Sequence, residues 1–171
     1  TSVETANPSL FKSTILPSRD LTPVMSIGRT QMYLITRPGL EVKDAKDLVA
    51  MAKASPGKLS YASAGTGTPP QLAGELFKQS TGTFITHIPY RGAGPALQDL
   101  ISGQVDMMFD GLGSSAAHIK GGRIKGLAVA SDKRAPGFPD LPATAELGLA
   151  SYQVATWYGL WAPKGTPKEV V

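Results

Sequence analysis

The apolar positions of this chain fall into short runs that alternate between two periods. Runs of period two, or short continuous apolar runs, predict strands, whereas apolar residues three and four apart predict helices. The predicted strands are 24–28, 31–36, 58–62, 84–90, 105–109, 123–130 and an extended segment 152–161. The predicted helices are 45–54, 69–80, 94–101, 114–119 and 143–147. Residues 1–20 are polar, with proline breakers at Asn7-Pro8 and Leu16-Pro17, and predict irregular structure.

Strands and helices alternate along most of the chain. This order predicts βαβ units with right-handed crossovers, and therefore an α/β fold with a mainly parallel sheet flanked by helices. In such sheets, ligands bind outside the carboxyl ends of the strands, at the point where the strand order reverses.

Loops of small residues follow three of the predicted strands and precede helices. They are Ser63-Ala64-Gly65-Thr66-Gly67-Thr68, Arg91-Gly92-Ala93-Gly94-Pro95 and Asp110-Gly111-Leu112-Gly113-Ser114-Ser115. Backbone N–H groups at a helix N-terminus favour a carboxylate or a phosphate. The loops therefore predict a binding cleft, with these candidate ligand-binding residues: Ser63, Gly65, Thr66, Gly67, Thr68, Tyr90, Arg91, Gly92, Asp110 and Tyr158.

Each polar candidate also has a purely structural explanation. The threonine hydroxyls could donate to an anion or cap the next helix. Arg91 could pair with an anion or be solvated. Asp110 could accept a hydrogen bond from a ligand amine or hydroxyl, or cap Gly113 or Ser114. Tyr90 and Tyr158 could form cleft walls with polar tips, or pack in the interior.

The glycine-rich loop also permits a second function, binding of a phosphorylated ligand or nucleotide. That alternative is weakly specified, because the loop lacks the third glycine of GxGxxG and has no Gly-Lys-Ser/Thr. Residues 111–115 do not form a G-x-S-x-G elbow, and the only histidines, His87 and His118, have no partner at metal-ligand spacing. We expect a binding protein and not an enzyme, without cofactor or metal.

Composition narrows the partners further. The 171 residues carry a net charge of +4, and their basic residues are scattered, which argues against nucleic acid. There is no cysteine, so disulfides and zinc-thiolate sites are excluded. No apolar run approaches the length of about 18 residues that a membrane-spanning helix needs.

The motifs together resemble the solute-binding proteins of tripartite tricarboxylate transporters, the Bug family. The markers are Pro56-Gly57-Lys58-Leu59-Ser60-Tyr61-Ala62-Ser63, Leu72-Ala73-Gly74-Glu75-Leu76-Phe77, Pro89-Tyr90-Arg91-Gly92, Gly103-Gln104-Val105-Asp106, Met108-Phe109-Asp110 and Trp157-Tyr158-Gly159-Leu160. The resemblance implies a lobe of a type II periplasmic binding protein. Such a protein captures a small organic carboxylate in the periplasm and delivers it to a membrane permease.

The same resemblance implies a division of the chain. Residues 25–150 correspond to the family's second lobe, and residues 1–24 and 151–171 to stubs of a truncated first lobe. No signal peptide is visible in the chain. We expect the apolar stub strand 152–161 to lack a pairing partner, and exposed strand edges of this kind predict self-association as a dimer.

Overall fold

The computed structural model of the protein describes residues 6–10, 12 and 16–171. Its helices are α1 (Asn7–Leu10), α2 (Pro17–Asp20), α3 (Ala45–Ala54), α4 (Pro69–Thr81), α5 (Ala93–Ser102) and α6 (Leu112–Lys120), with a 3-10 helix at Thr144–Leu147. Its strands are β1 (Leu21–Thr36), β2 (Ser60–Ser63), β3 (Thr86–Pro89), β4 (Met107–Gly111), β5 (Lys125–Val129) and β6 (Ala155–Pro163). The predicted alternation of strand and helix is confirmed from β2 to β5.

The first sheet strand differs from its prediction. Two strands, 24–28 and 31–36, were expected, but β1 runs without interruption through 16 residues. Gly28 and Arg29, near the predicted gap, pair with Tyr158 and Trp157 of β6. The expectation that segment 152–161 lacks a partner is wrong for the same reason, because β6 pairs antiparallel with the first part of β1.

The sheet is mixed, with strand order β3-β2-β4-β1-β5 and with β6 attached to β1. Strand β2 is parallel to β3 and β4, whereas β1 is antiparallel to β4 and β5. Four of the five strands in this order therefore share one direction, and β1 opposes them. This mixed sheet with flanking helices confirms the predicted α/β class, and it brings the carboxyl ends of β2, β3 and β4 to one edge.

Helices cover both faces of the sheet. One core, which includes Leu34, Phe77, Phe109 and Tyr152, packs α3 and α4 against one face. The other core includes Tyr33, Ile35, Leu97, Leu100 and Met108, and packs α5 against the opposite face. Since α4 and α5 lie on opposite sides, the crossover from β3 to β4 passes over β2 and creates the reversal of strand order next to β2.

Local signals set the helix ends. Asp44 caps α3, because its carboxylate accepts the N–H groups of Lys46 and Asp47 at 2.8 and 2.9 Å. The prolines predicted to break residues 1–20 instead lie in the first turns of α1 and α2, where a missing N–H is tolerated. The predicted helix 143–147 is a 3-10 turn. The rest of the irregular prediction, on residues 1–5, 11 and 13–15, falls outside the described residues.

None of the helices formed by the described residues has the length and apolar character needed to cross a membrane.

Candidate ligand-binding cleft

A cleft of about 460 Å³ opens at the carboxyl edge of the sheet. The first residues of α4 and α5 and the junction of β4 with α6 form one side, and the paired strands β1 and β6 form the other. The lining residues are Thr30, Met32, Pro69, Pro70, Ala93, Asp110, Gly111, Gly113, Ser114, Thr156 and Tyr158. Of the residues predicted from sequence, Asp110 and Tyr158 line this cleft directly.

Three helix N-termini meet around the cleft, those of α4, α5 and α6. The first N–H groups of a helix have no acceptor within the helix, so each N-terminus carries partial positive charge. Helix α4 contributes fewer donors than its loop predicted, because Pro69 and Pro70 have no N–H. Helices α5 and α6 begin at Ala93 and Leu112. Pro95 removes the third N–H of α5, but the N–H groups of the first two residues of each helix remain available.

The loop after β2 is held mainly by its own hydrogen bonds. The N–H of Gly65 donates to Ser63 Oγ at 3.2 Å, and the N–H of Gly67 donates to Gln71 Oε1 at 2.8 Å. Thr68 is the N-cap of α4, but its hydroxyl donates to the Gly65 carbonyl at 2.6 Å and caps no helix N–H. Of the two roles that the sequence left open for Thr68, its side chain does not take that of a helix cap, and its hydroxyl proton is used inside the loop.

Thr66 is the exposed member of this loop. Within the described chain, its N–H and that of Gln71 donate to no protein acceptor. Gly65 allows the loop to approach its neighbour, because its φ is +130° and an added Cβ would lie 3.3 Å from the Tyr90 carbonyl oxygen. The N–H groups of Thr66 in this loop and of Gln71 in α4 are thus unused donors.

A contact that the sequence analysis missed, between buried Ser63 and half-buried His87, supports the same loop. Ser63 Oγ lies 2.6 Å from His87 Nε2, and the His87 ring stacks on Tyr61 at 4.7 Å between centroids. Burial lowers the pKa of His87, so the neutral imidazole is favoured. Ser63 is fully buried, and no carboxylate of the described residues accepts a hydrogen bond from the imidazole. The pair therefore positions the loop, and it could have been found only by aligning β2 with β3.

The loop after β3 is joined to the first loop through its backbone. The N–H of Tyr90 donates to the Ser63 carbonyl at 2.9 Å, and the N–H of Gly92 donates to the Ala64 carbonyl at 3.1 Å. The Tyr90 hydroxyl donates to Asp99 at 2.6 Å, and burial together with that carboxylate raises the pKa of Tyr90 to about 12. Arg91 is exposed and forms no ion pair with the rest of the described chain.

Asp110 is the most unusual lining residue. It ends the apolar part of β4 and is only 4% exposed. The N-cap of α6 is Gly111, and no side chain caps this helix, so Asp110 does not take the capping role that the sequence left open beside ligand binding. Its carboxylate instead accepts the Ser114 hydroxyl. Burial raises the pKa of Asp110, and the Ser114 hydroxyl and the Gly111 N–H only partly oppose that shift.

Strands β1 and β6 bring side chains that the sequence analysis did not select. Thr30 pairs with Thr156, and both line the cleft with Tyr158. Alternation along a strand places residues 156 and 158 on one side, which could have identified Thr156 from Tyr158. No sequence signal linked residue 30 to residue 156, because their pairing joins distant parts of the chain.

The described residues offer no metal centre. No group of three or more His, Cys, Asp or Glu side chains in the described part of the chain could hold a metal ion. The chemistry available at the cleft is hydrogen bonding by N–H groups and hydroxyls, partial positive charge at helix ends, and one buried carboxyl.

Comparison with known proteins shows which family has this architecture. The family model of the tripartite tricarboxylate transporter family receptor matches residues 1–171. The chain is similar to R. palustris Rpa4515 with adipate, with a TM-score of 0.90 and 38% identity over 93% of this chain and 53% of that one. It is also similar to MatC (Rpa3494) from Rhodopseudomonas palustris with bound malate, with a TM-score of 0.87 and 32% identity over 94% and 54% of the two chains.

A third solved structure, that of the periplasmic binding protein BugD, has a TM-score of 0.83 and 37% identity over 88% of this chain and 50% of that one. Among curated relatives, three proteins at 36–41% identity match over 44–47% of their own lengths. The chain thus spans about half the length of the curated relatives it matches. With a family model that matches its whole length and solved relatives that share its fold, this chain belongs to the tripartite tricarboxylate transporter receptor family, TctC.

Proposed function

We propose that this chain provides one side of the ligand site of a periplasmic receptor that captures a small organic carboxylate. The observation that carries the proposal is the meeting of three helix N-termini at one cleft of about 460 Å³. A carboxylate placed there would accept hydrogen bonds from unused N–H groups and would lie at the positive ends of the helix dipoles. Of the candidate residues, the two loops around Ser63 and Tyr90 set the shape, and Asp110 and Tyr158 face the ligand.

The solved relatives support a carboxylate ligand and a periplasmic location of the protein. One was solved with adipate, another with malate, and a third is named as a periplasmic binding protein. The family description, a receptor of a transporter, supports a non-enzymatic protein that passes its ligand to membrane permease subunits.

We further propose that residues 25–150 form the second lobe of such a receptor, flanked by segments 1–24 and 151–171 of the first. The chain covers about half of each solved relative, which supports this division. The proposed boundary at 24/25 falls inside β1, which pairs with β6, so a segment between lobes at this point would be a paired strand and not a free linker.

Isothermal titration calorimetry of the full-length protein tests the proposal. We expect adipate or another di- or monocarboxylate to bind, whereas inorganic phosphate, sugar phosphates and nucleotides do not. Binding of phosphates without binding of any carboxylate would instead support the alternative of a phosphorylated ligand.

One substitution tests whether the helix ends are responsible. Ala93→Asp adds a negative charge at the first position of α5, where it lines the cleft but also suits the helix dipole. We expect the variant to remain folded and to lose at least about tenfold in carboxylate affinity. Ala50→Asp adds the same charge at an exposed position of α3 outside the cleft, and should bind as the parent does. Equal affinities in all three proteins would refute the proposed site.

A further inference from the structure

Asp110 is difficult to explain as part of a site for carboxylates alone. Among the described residues, it is the only charged side chain that is buried, and it lines the cleft at the end of β4. A second negative group brought beside this carboxyl, which is itself only 4% exposed, would meet a like charge. A ligand with only carboxylates is therefore opposed by Asp110, whatever the helix ends contribute.

The protein supplies few donors to this carboxylate. Its side-chain donor is the Ser114 hydroxyl, with a further contribution from the Gly111 N–H. An ionised carboxylate offers about four acceptor positions. Basic side chains do not supply donors for the remaining acceptor positions, since none of the described lysines or arginines forms an ion pair with Asp110. His118, on α6, favours the charged form of Asp110 only at a distance, through its electrostatic field.

A ligand can supply the missing donor. A hydroxyl or ammonium group would donate to Asp110, while the carboxylate of the same ligand met the N–H groups of α5 and α6. Hydrogen bonds to a charged acceptor are stronger than those between neutral groups, and they are strongest where water is excluded. A buried acceptor that is left without a donor penalises the analogue that lacks one.

Building on the proposed function, we propose that Asp110 is a specificity-determining residue. It selects carboxylates that carry a hydroxyl or an ammonium group close to the carboxylate over plain carboxylates of the same length. Hydroxy acids and amino acids share this donor chemistry, and the experiment below distinguishes them.

Three ligands with the same four-carbon dicarboxylate frame provide the test, namely L-malate, L-aspartate and succinate. They differ only in carrying a hydroxyl, an ammonium group or hydrogen at one carbon. We expect calorimetry on the full-length protein near pH 7.5 to give at least about tenfold tighter binding of malate, aspartate or both than of succinate. Preference for malate alone identifies the donor as a hydroxyl, and preference for aspartate alone identifies an ammonium group.

Asp110→Asn removes the charge and keeps the size of the side chain. We expect this variant to bind succinate more tightly than the parent does, and to bind the preferred ligand less tightly. The ratio of the affinity for the preferred ligand to that for succinate should then fall to within a few-fold. Asp140→Asn, at an exposed position outside the cleft, is the matched control and should keep the ratio of the parent. Thermal unfolding confirms that each variant is folded, and the comparison of ligands on the parent protein does not depend on any variant.

Two outcomes would overturn the inference about Asp110 and leave the proposed function standing. They are equal affinity of the parent for all three ligands, or an unchanged ratio in folded Asp110→Asn. If neither these ligands nor adipate binds at all, the proposed function fails together with this inference.

Discussion

The two halves of β1 form one strand in two different environments. Residues 32–36 are all buried in the centre of the sheet, between β4 and β5. The preceding residues pair only with β6, and there Met25 and Ile27 are 60% and 65% exposed. We call this two-stranded part, residues 21–31 with β6, the ribbon. The sheet half is held by packing on both faces, whereas the ribbon is held mainly by pairing with a single strand.

The difference explains why the cleft lies where it does. The ribbon continues β1 past the carboxyl edge of β4, where Met32 pairs with Gly111. Side chains at its base, Thr30 and Thr156, therefore face the helix N-termini across the cleft. A two-stranded ribbon without further support is only marginally stable in water. The ligand site thus combines a rigid wall, the sheet edge, with a less stable one.

Matched leucine substitutions should give the largest contrast between the two regions. Leu34 is 1% exposed in the sheet half, and Leu160 is 50% exposed in the ribbon. We expect Leu34→Ala to lower the free energy of unfolding by about 2–5 kcal/mol, because it leaves a cavity in a packed core. Leu160→Ala should change it by about 0.5 kcal/mol or less. Urea unfolding of the 171-residue chain, followed by circular dichroism, measures both.

A large effect of Leu160→Ala would contradict this contrast and would mean that the ribbon is covered in solution. A second copy of the chain is the predicted cover. Because segment 152–161 is paired with β1, this prediction now rests on the outer edge of β6, which pairs with no other described strand. Light scattering at high micromolar concentration then decides the point. A monomeric mass would refute the dimer, and a dimeric mass that Leu160→Lys abolishes would support it.

Much of the fold was predictable because its signals are local. The capping carboxylate of Asp44 and the left-handed glycine after α4, Gly82, set helix ends that do not depend on distant contacts. The continuity of β1 was not predictable. Gly28 weakens a strand on its own, and here pairing with residue 158, far along the chain, overrides that local preference.

The positions of the three loops were predictable, but the contacts of their side chains were not. The three loops do follow strands that end at one edge, as βαβ order requires. The use of each hydroxyl depended on tertiary contacts, however. Thr68 donates to a carbonyl within its loop, Ser63 lies against His87, and Ser114 donates to Asp110. Short-range sequence patterns give the donor type but not its partner.

Alanine substitutions at two glycines, Gly74 beside the sheet and Gly159 in the ribbon, compare the two regions again, with a smaller expected effect on stability. A Cβ at Gly74 of α4 would lie 2.3 Å from the ring of Tyr61, and one at Gly159 of β6 would lie 2.6 Å from the ring of Trp161. Tyr61 cannot move aside, since it is fully buried, stacks on His87 and donates its hydroxyl to Glu75. The outer ring atoms of Trp161 can rotate, because this side chain is only partly buried in the ribbon.

We therefore expect Gly74→Ala to destabilise the chain by about 1–3 kcal/mol, even though alanine favours helix by about 1 kcal/mol. Gly159→Ala should remain within about 1 kcal/mol of the parent. Thermal or urea unfolding of the two variants measures the difference. Equal destabilisation would indicate that Trp161 is as firmly held as Tyr61, and the contrast between ribbon and sheet would then not extend to side-chain packing.

The smallest effect is a pH dependence confined to the end of the ribbon. Hydrogen bonds from Arg19 and from the Leu16 N–H lower the pKa of Asp20 to about 2. Its backbone carbonyl accepts the N–H of Lys164 just beyond β6. Because this pKa lies below the ordinary value of 3.8, the carboxylate stabilises the folded chain above about pH 4. That contribution is lost as the pH falls towards 2.

Tryptophan fluorescence can observe this change in the ribbon alone, because both tryptophans of the chain, Trp157 and Trp161, lie in β6. We expect Asp20→Asn to lower slightly, at pH 6, the midpoint of the unfolding transition that fluorescence reports. The difference in midpoint between variant and parent should disappear near pH 2. Circular dichroism, which reports mainly on the helices and the sheet, should show a smaller difference in midpoint between variant and parent at pH 6. If both probes shift equally, the ribbon unfolds together with the sheet, and its sparse packing does not make it a separate unit of stability.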